Sequence, residues 1–392
     1  MMKGTRKLLI ASAVASALAA PAAALAQATP APAPAEKAKS PVPGLDEVLE
    51  ATGITVNGYI DATYSYLNGN GAFTSGSPNR VFDDQHSSFQ LNQAAITIAK
   101  QPAEGFGGLV NLTAGTDANV IAPFPTNPGA SSNFDVTQAF AQYAHGPLTV
   151  IAGKYVTLAG AEVINPTQDV NISRSILFGF AIPFTHTGAR ATYAVNDKVS
   201  LIGGINNGWD DLQDTNTQKT GEVGVALTPI KAVTINLTDY FGTEQVGGLT
   251  KAPPSGARNL VDLVAAWTAT DKLTLTFNYD YGTQDNASAF TTNAASKAKW
   301  WGFALYGTYQ FNDEWRLSVR GEKFDDDNGY RTGVAQRWSE ATATVSYLAG
   351  KHFEMRGEIR DDWSNQSSFV SANGSSNSKH QASAAVEAIY KF

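Results

Sequence analysis

Hydrophobic and polar residues alternate with a period of two along most of the chain between residues 54 and 392. In residues 315–322, for example, apolar Trp, Leu and Val alternate with polar Arg, Ser and Glu. Successive side chains of a β-strand point to opposite faces, so each such run predicts a strand with one apolar and one polar face. The runs extend over roughly 9–12 residues, the length of a tilted strand that crosses a bilayer.

The segments between the predicted strands are alternately short and long. Seven short turns and eight long segments imply sixteen strands, within a range of about 14–18. A soluble β-sandwich would show the same alternation of side chains, but tight turns at one rim and long loops at the other are typical of an outer-membrane barrel. The sequence therefore predicts an all-β, antiparallel, up-and-down transmembrane barrel. The predicted long loops are residues 68–87, 116–133, 157–185, 209–218, 244–257, 284–297, 326–334 and 364–378.

The two ends of the chain support this interpretation. Residues 1–26 have a basic start, an apolar run and an Ala-Leu-Ala cleavage site, which predicts an export signal that is removed. Residues 27–53 are rich in proline and predict an extended periplasmic linker, followed by the barrel in residues 54–392. The last predicted strand ends on Tyr390 and Phe392, a pattern that resembles the signal by which the barrel-assembly machinery recognises outer-membrane proteins.

The composition narrows the choice further. Only 16% of the residues are charged, whereas an ordinary soluble domain has about 25%. The 7 Trp, 14 Tyr and 19 Phe argue against disorder. A formal charge of -7 argues against binding to nucleic acid. The absence of cysteine excludes disulfides, Cys-ligated metal sites and a thiol nucleophile.

The residues suggest no enzyme, metal site or cofactor. The five histidines offer one conceivable catalytic set, His186 with Ser173 or Asp169, and nothing in their spacing supports it. The acidic run at residues 325–329 does not fit a calcium loop, because the first and last ligand positions would be Phe324 and Ala335.

Several strings between residues 58 and 220 resemble the OmpL-like porin-2 family of bacterial outer-membrane β-barrels. The resemblance implies a pore-forming barrel in the outer membrane of a Gram-negative bacterium. Beyond about residue 240, the prediction rests on periodicity alone. The strings are Gly58-Tyr59-Ile60-Asp61, Leu91-Asn92-Gln93-Ala94, Gly105-Phe106-Gly107, Asp135-Val136-Thr137-Gln138-Ala139, Ala152-Gly153-Lys154, Asn171-Ile172-Ser173-Arg174-Ser175, Ala181-Ile182-Pro183-Phe184-Thr185-His186-Thr187-Gly188 and Asn206-Asn207-Gly208-Trp209-Asp210.

The third long loop is the candidate constriction. A sixteen-stranded barrel is wide enough for an aqueous channel, and residues 157–185 are too apolar for a disordered segment. We expect this loop to fold into the lumen, with a short helix over residues 171–180, and to place Glu162, Asp169 and Arg174 at the narrowest point. Alternatively, its apolar part caps the barrel mouth or packs on a neighbouring subunit.

Charged residues of both signs fall on the polar phase of the predicted strands. Such a mixture indicates a transverse field in a general diffusion pore, although many of these residues could instead form salt bridges in the wall. The predicted wall residues are Asp61, Arg190, Glu222, Arg258, Asp262, Arg320, Glu322, Arg356, Glu358 and Arg360.

Together these features predict a porin through which small hydrophilic solutes or ions diffuse passively. The alternative is a structural or adhesive surface barrel with a closed lumen and loops that bind a partner. The expected surroundings are outer-membrane lipid and lipopolysaccharide, and the sequence leaves open whether the barrel forms a homo-oligomer.

Overall fold

The computed structural model describes residues 44–68, 80–84, 87–124, 133–245, 255–370 and 377–392. The predicted export signal and the linker up to residue 43 lie outside the described residues. Helix α1, Leu45–Thr52, ends at Gly53, whose left-handed backbone (φ 67°) lets its N–H bond to the carbonyl of Glu50. Within the described ranges, no helix combines the length and apolar character needed to span a membrane.

Sixteen antiparallel strands close into one barrel within the compact unit Val56–Phe392, as the turn pattern predicted. The strands follow one another around the barrel in chain order, and the last of them pairs with the first. They are β1 Thr55–Leu67, β2 Ser88–Lys100, β3 Gly105–Ala114, β4 Phe134–His145, β5 Leu148–Val156, β6 Thr185–Asn196, β7 Val199–Asn206, β8 Thr220–Ile230, β9 Val233–Gln245, β10 Ser255–Thr268, β11 Leu273–Asp285, β12 Lys297–Gln310, β13 Trp315–Asp326, β14 Gln336–Ala349, β15 Phe353–Ser364 and β18 His380–Lys391.

Short elements occupy some of the long loops. Helix α2, Ala118–Ile121, lies in the second loop, and a small hairpin of β16, Phe369–Val370, and β17, Asn377–Ser378, lies in the last. The opposite rim has tight turns, such as residues 350–352, where Gly350 adopts a left-handed φ of 68°. The alternation of tight turns and long loops therefore holds around the whole barrel.

The two phases of each strand have opposite environments. On β12 and β13, Leu305 and Val319 are exposed on the outer face, whereas Arg320 and Glu322 are buried on the inner face. This arrangement is the reverse of the one in a soluble protein. The apolar side chains of each strand face lipid, and the charged side chains face the interior of the barrel. The low charge content of the chain follows from this outer band.

The terminal residues close the barrel. Gly58 and Phe392 exchange two backbone hydrogen bonds of 2.9 Å, and Tyr390 pairs with Ile60 across β18 and β1. Both aromatic side chains are exposed. Their recognition by the assembly machinery stays a prediction.

An apolar cluster lies inside the barrel as well. It joins side chains of the third long loop to inward residues of β9, β10, β12, β13 and β14, with contributions from the first, second, fourth and last long loops. The barrel is therefore partly filled by a packed core. Its largest members are Phe82, Phe178, Phe184, Trp209, Tyr240, Trp300, Tyr306, Phe324, Trp338 and Phe369.

Candidate functional site: the third long loop and the inner wall

Residues 157–184, here called loop 3, connect β5 to β6 and fold into the barrel. Thr157 N–H donates to the carbonyl of Phe184 at 3.0 Å, which closes the loop at its base. The loop contains a 3-10 turn, Pro166–Gln168, and a single π-helical turn, Leu177–Ala181. The helix expected over residues 171–180 is therefore present only at its C-terminal end.

Carboxylates replace the carbonyls that such a helix would have used. Six consecutive backbone N–H groups, those of residues 172–177, donate to carboxylate oxygens at 2.6–3.1 Å. Glu358 of β15 accepts from residues 172 and 173, and Glu322 of β13 accepts from residues 176 and 177. Asp83 of the first loop accepts from residue 174, and Glu162 accepts from residue 175.

Arginines of the wall bind the carbonyl oxygens of the same loop. Arg320 donates from Nη1 to the Ser173 carbonyl at 2.7 Å, and Arg360 donates to the Arg174 carbonyl at 2.6 Å. Arg356 reaches the Pro166 carbonyl with both terminal nitrogens at 3.2 Å. The wall therefore provides hydrogen-bond acceptors for the backbone N–H groups of the loop and hydrogen-bond donors for its backbone carbonyls.

The three residues predicted for the constriction all lie within this network. Glu162 pairs with Arg320 at 2.7 Å, and Asp169 pairs with Arg174 and accepts the Val163 N–H at 3.0 Å. Each is no more than 6% exposed. Burial raises the pKa of Asp169 to about 6, and the neighbouring Arg174 guanidinium opposes this shift. The structure brings the three together as internal braces of loop 3, and their effect on ion passage stays a prediction.

All ten predicted wall residues face inward, and none is more than 8% exposed. Five of them, Arg320, Glu322, Arg356, Glu358 and Arg360, hold loop 3 by the contacts described above, and Asp262 also holds it by accepting the Gly160 N–H at 3.0 Å. The other four are distributed around the interior. Arg190 pairs with Glu222, Arg258 lies over Trp209, and Asp61 lies beside Glu387.

Sequence reasoning missed several members of the network. Glu340, Glu354 and Asp362 pair with the wall arginines and lie on the same polar phase, so the periodicity could have identified them. Arg80 and Asp83 belong to the first long loop, where no periodic signal exists. Arg80 nevertheless pairs with Asp362 at 2.6 Å.

The wall of β3–β8 has a separate set of polar contacts. Lys154 pairs with Asp135 at 2.9 Å, and Arg190 donates from Nε to Glu222 at 2.5 Å. On β3 and β4, the hydroxyls of Thr113 and Thr137 bond at 2.7 Å. The polar side chains of these strands therefore find many of their partners on the neighbouring strands, without loop 3.

The acidic run at residues 325–329 organises its own loop. Asp326 accepts the N–H groups of Tyr330, Arg331 and Thr332 at 2.8–3.0 Å. Across the described portion of the chain, no three His, Cys, Asp or Glu side chains converge as metal ligands.

We expect Glu322→Gln to loosen loop 3, because a carboxamide offers only one oxygen to two buried N–H donors. A hydrogen bond to a charged group is worth about 1.5–3 kcal/mol, so the amides of Ile176 and Leu177 should exchange with deuterium at least about tenfold faster. The control is Glu104→Gln, an exposed carboxylate that also accepts a backbone N–H, from Gly146 at 2.8 Å. Unchanged exchange in residues 172–177 would show that apolar packing alone holds the loop.

We also expect the stability to depend on the ionisation of Asp117, which follows β3 and accepts a hydrogen bond from Gln93 at 2.9 Å. Burial raises the pKa of Asp117 to about 7. The raised pKa means that the folded state retains a proton that the unfolded chain releases above its own pKa of about 3.9. The stabilising contribution is therefore fully present below about pH 4 and is lost as the pH rises through 7, by at most about 1.4 kcal/mol per pH unit.

Urea unfolding from lipid vesicles between pH 4 and 8 tests this expectation. Relative to Asp117→Asn, which resembles the neutral acid and does not titrate, the wild type should lose unfolding free energy as the pH rises from 4, and this loss should level off above 7. A pH-independent difference would contradict it.

Comparison of the sequence with known families finds a match. The sequence model described as "Putative beta-barrel porin-2, OmpL-like" matches residues 53–392. No functionally curated protein matches the chain.

Several solved structures share the fold. They include the outer membrane channel DcaP of Acinetobacter baumannii (TM-score 0.61, 11% identity, 86% of this chain and 97% of that one). The anion-selective porin from Comamonas acidovorans is similar to the same extent (TM-score 0.60, 11% identity, 86% and 99%). So is the trimer form of in-vitro folded OmpT of Vibrio cholerae (TM-score 0.59, 12% identity, 86% and 99%). At these identities the similarity concerns the fold alone, whereas the family match covers most of the sequence. The chain therefore belongs to the OmpL-like porin-2 family of β-barrels and is a bacterial outer-membrane porin.

Proposed function

We propose that small hydrophilic solutes and ions diffuse passively through this barrel, between loop 3 and the wall formed by β3–β8. The observation that carries the proposal is the uneven attachment of loop 3. Its hydrogen bonds run to consecutive strands on one side of the barrel, from Tyr240 of β9 through Asp262 and Asn278 to Glu322 and Glu358. The loop therefore occupies the β9–β15 side and narrows the interior from there.

The opposite wall supports the same proposal. Its ion pairs, Lys154 with Asp135 and Arg190 with Glu222, hold charges of both signs in equal number. The first part of loop 3 reaches β2, where Gln93 donates to the Ile164 carbonyl at 2.9 Å. A passage bounded by this segment and by β3–β8 would have a polar, nearly neutral lining, which favours weak selectivity between cations and anions.

Within this proposal, Glu162, Asp169 and Arg174 form the inner edge of the constriction. Their charges are paired inside loop 3, so we infer that they act on conduction by keeping the loop in place. The wall charges that bind the loop, including Arg320 and Arg356, would have the same indirect effect.

Liposome swelling tests passive diffusion directly. Vesicles that contain the purified barrel should swell in isotonic sugar solutions, at rates that fall as the sugar becomes larger. If the vesicles do not swell even with the smallest sugar, the proposed diffusion is wrong and the alternative of a closed, partner-binding barrel is favoured.

The position of the passage can be tested on β6. Thr192 lies on the inward phase of the wall opposite loop 3, and Ala191 lies on the outward phase. We expect Thr192→Trp to lower the single-channel conductance severalfold, because the indole would occupy the proposed passage. Ala191→Trp is the matched control and should leave the conductance unchanged. Equal conductance in both variants would mean that the passage lies elsewhere.

We further propose that residues 1–26 are removed on export. The basic start, the apolar run and the Ala-Leu-Ala site support this proposal. The intact mass of protein extracted from outer membranes should correspond to a chain that begins at Gln27, and a mass that includes residues 1–26 would contradict it.

The surroundings of the barrel are also proposals. The exposed aromatic end at Tyr390 and Phe392 suits recognition by the assembly machinery, and the apolar outer face suits lipid and lipopolysaccharide. A homo-oligomer is supported only by the trimer form of OmpT, a protein of similar fold.

A further inference from the structure

A second polar cluster lies at the long-loop rim, where it contacts loop 3 through Arg331 and the Phe180 carbonyl. It surrounds a cleft of about 390 Å³, which is within the range of about 300–1,000 Å³ of small-molecule sites. Residues from β9, β10 and the loops before β8 and after β13 line it. The long-loop rim of an outer-membrane barrel faces the outside of the cell, so the cleft lies where a solute arrives.

Two guanidinium groups flank one indole in this cleft. The Cζ atom of Arg258 lies 4.8 Å from the centre of the Trp209 ring, and that of Arg331 lies 5.6 Å from it. Trp300 packs edge-on against Trp209 at 6.1 Å. Stacking on aromatic rings leaves the edges of the two guanidinium groups available for hydrogen bonds.

The outer nitrogens of these arginines are incompletely used. Arg258 donates from Nε to Gln284 at 2.6 Å and from Nη2 to the Tyr330 hydroxyl at 2.9 Å. Arg331 donates from Nε to the Phe180 carbonyl. Among the described residues, no hydrogen-bond partner is found for Nη1 of Arg258 or for either terminal nitrogen of Arg331. Such donors match the two oxygens of a carboxylate.

Two carboxylates converge at the same cleft. A Cβ atom added to Gly208 would lie 2.7 Å from Oε2 of Glu244 and 2.8 Å from Oδ2 of Asp211, so both acids point to one place. Gly208 has a φ of 137°, and the lack of a side chain there leaves room for the two groups. Burial, together with the nearby Glu244, raises the pKa of Asp211 to about 8. A cation placed between the two acids would relieve their repulsion.

We propose that this cleft binds an α-amino acid, whose carboxylate lies on Arg258 and Arg331 and whose ammonium group lies on Asp211 and Glu244. Donors and acceptors of opposite charge within one small cleft favour a ligand that carries both charges. A simple anion would meet the two acids, and a simple cation would meet the two arginines. A neutral sugar would offer no charged group to either the arginines or the acids.

Titration of the tryptophan fluorescence of the full chain in detergent micelles tests the proposal. The probes are L-glutamine, N-acetyl-L-glutamine, which lacks the ammonium group, L-glutaminamide, which lacks the carboxylate, and glucose. We expect L-glutamine to bind at least about tenfold more tightly than the other three, because each of them leaves part of the site unpaired.

Two substitutions assign the two ends of the ligand. Asp211→Asn should remove the preference for L-glutamine over N-acetyl-L-glutamine, and Arg331→Gln should remove the preference over L-glutaminamide. Because Arg331 also binds Phe180, Arg331→Lys provides a variant that keeps the positive charge and should keep most of the affinity. The control is Arg337→Gln, which removes an exposed arginine that pairs with Asp325 on the barrel rim.

Equal binding of the blocked analogues, tighter binding of glucose, or unchanged preferences in both variants would overturn the proposal. The readout does not depend on conduction. If liposomes swell but L-glutamine does not bind, only the binding site fails. If L-glutamine binds but liposomes do not swell, only the proposed diffusion fails.

Discussion

The position of loop 3 inside this barrel depends on carboxylates that accept hydrogen bonds from backbone N–H groups. Residues 172–177 present six successive donors, which no regular secondary structure satisfies, because their helical partners are absent. Glu322 and Glu358 each accept two of them from the barrel wall. A buried N–H without an acceptor costs about 1–3 kcal/mol, so loop 3 can leave solvent only where such acceptors exist.

The same carboxylates would be costly without cations beside them. Arg320 lies between Glu162 and Glu340, at 2.7 Å from each, and Arg360 lies beside Asp362 at 2.6 Å. Each arginine also binds a loop carbonyl, so charge balance and loop position are parts of one network. Removal of one member leaves both a buried charge and a backbone group without a partner. The charged residues of the network therefore depend on one another although they lie far apart in the sequence.

This network changes the interpretation of the charged wall. Charges of both signs in a barrel interior suggest an ion filter, but six of the ten predicted wall charges hold loop 3 instead. The wall of β3–β8 keeps its own ion pairs and offers the polar surface along which we propose that solutes move. The rim cleft around Trp209 has guanidinium nitrogens for which no partner is found among the described residues, and its proposed role is therefore binding and not support of the loop.

The strands, their number, the two rims and the side of the wall on which each charge lies can all be predicted from the sequence, because they follow from local alternation and chain order. The sequence also predicted the constriction role of Glu162, Asp169 and Arg174, which stays a prediction, and it assigned ten charged residues to the inner face without their partners. Arg80 and Asp362 are separated by 282 positions, and a period of two assigns a residue to a face without naming its neighbour across the barrel. Only the closed structure decided that Glu322 and Glu358 hold loop 3, because the acceptors come from distant strands that meet the loop once the barrel has closed.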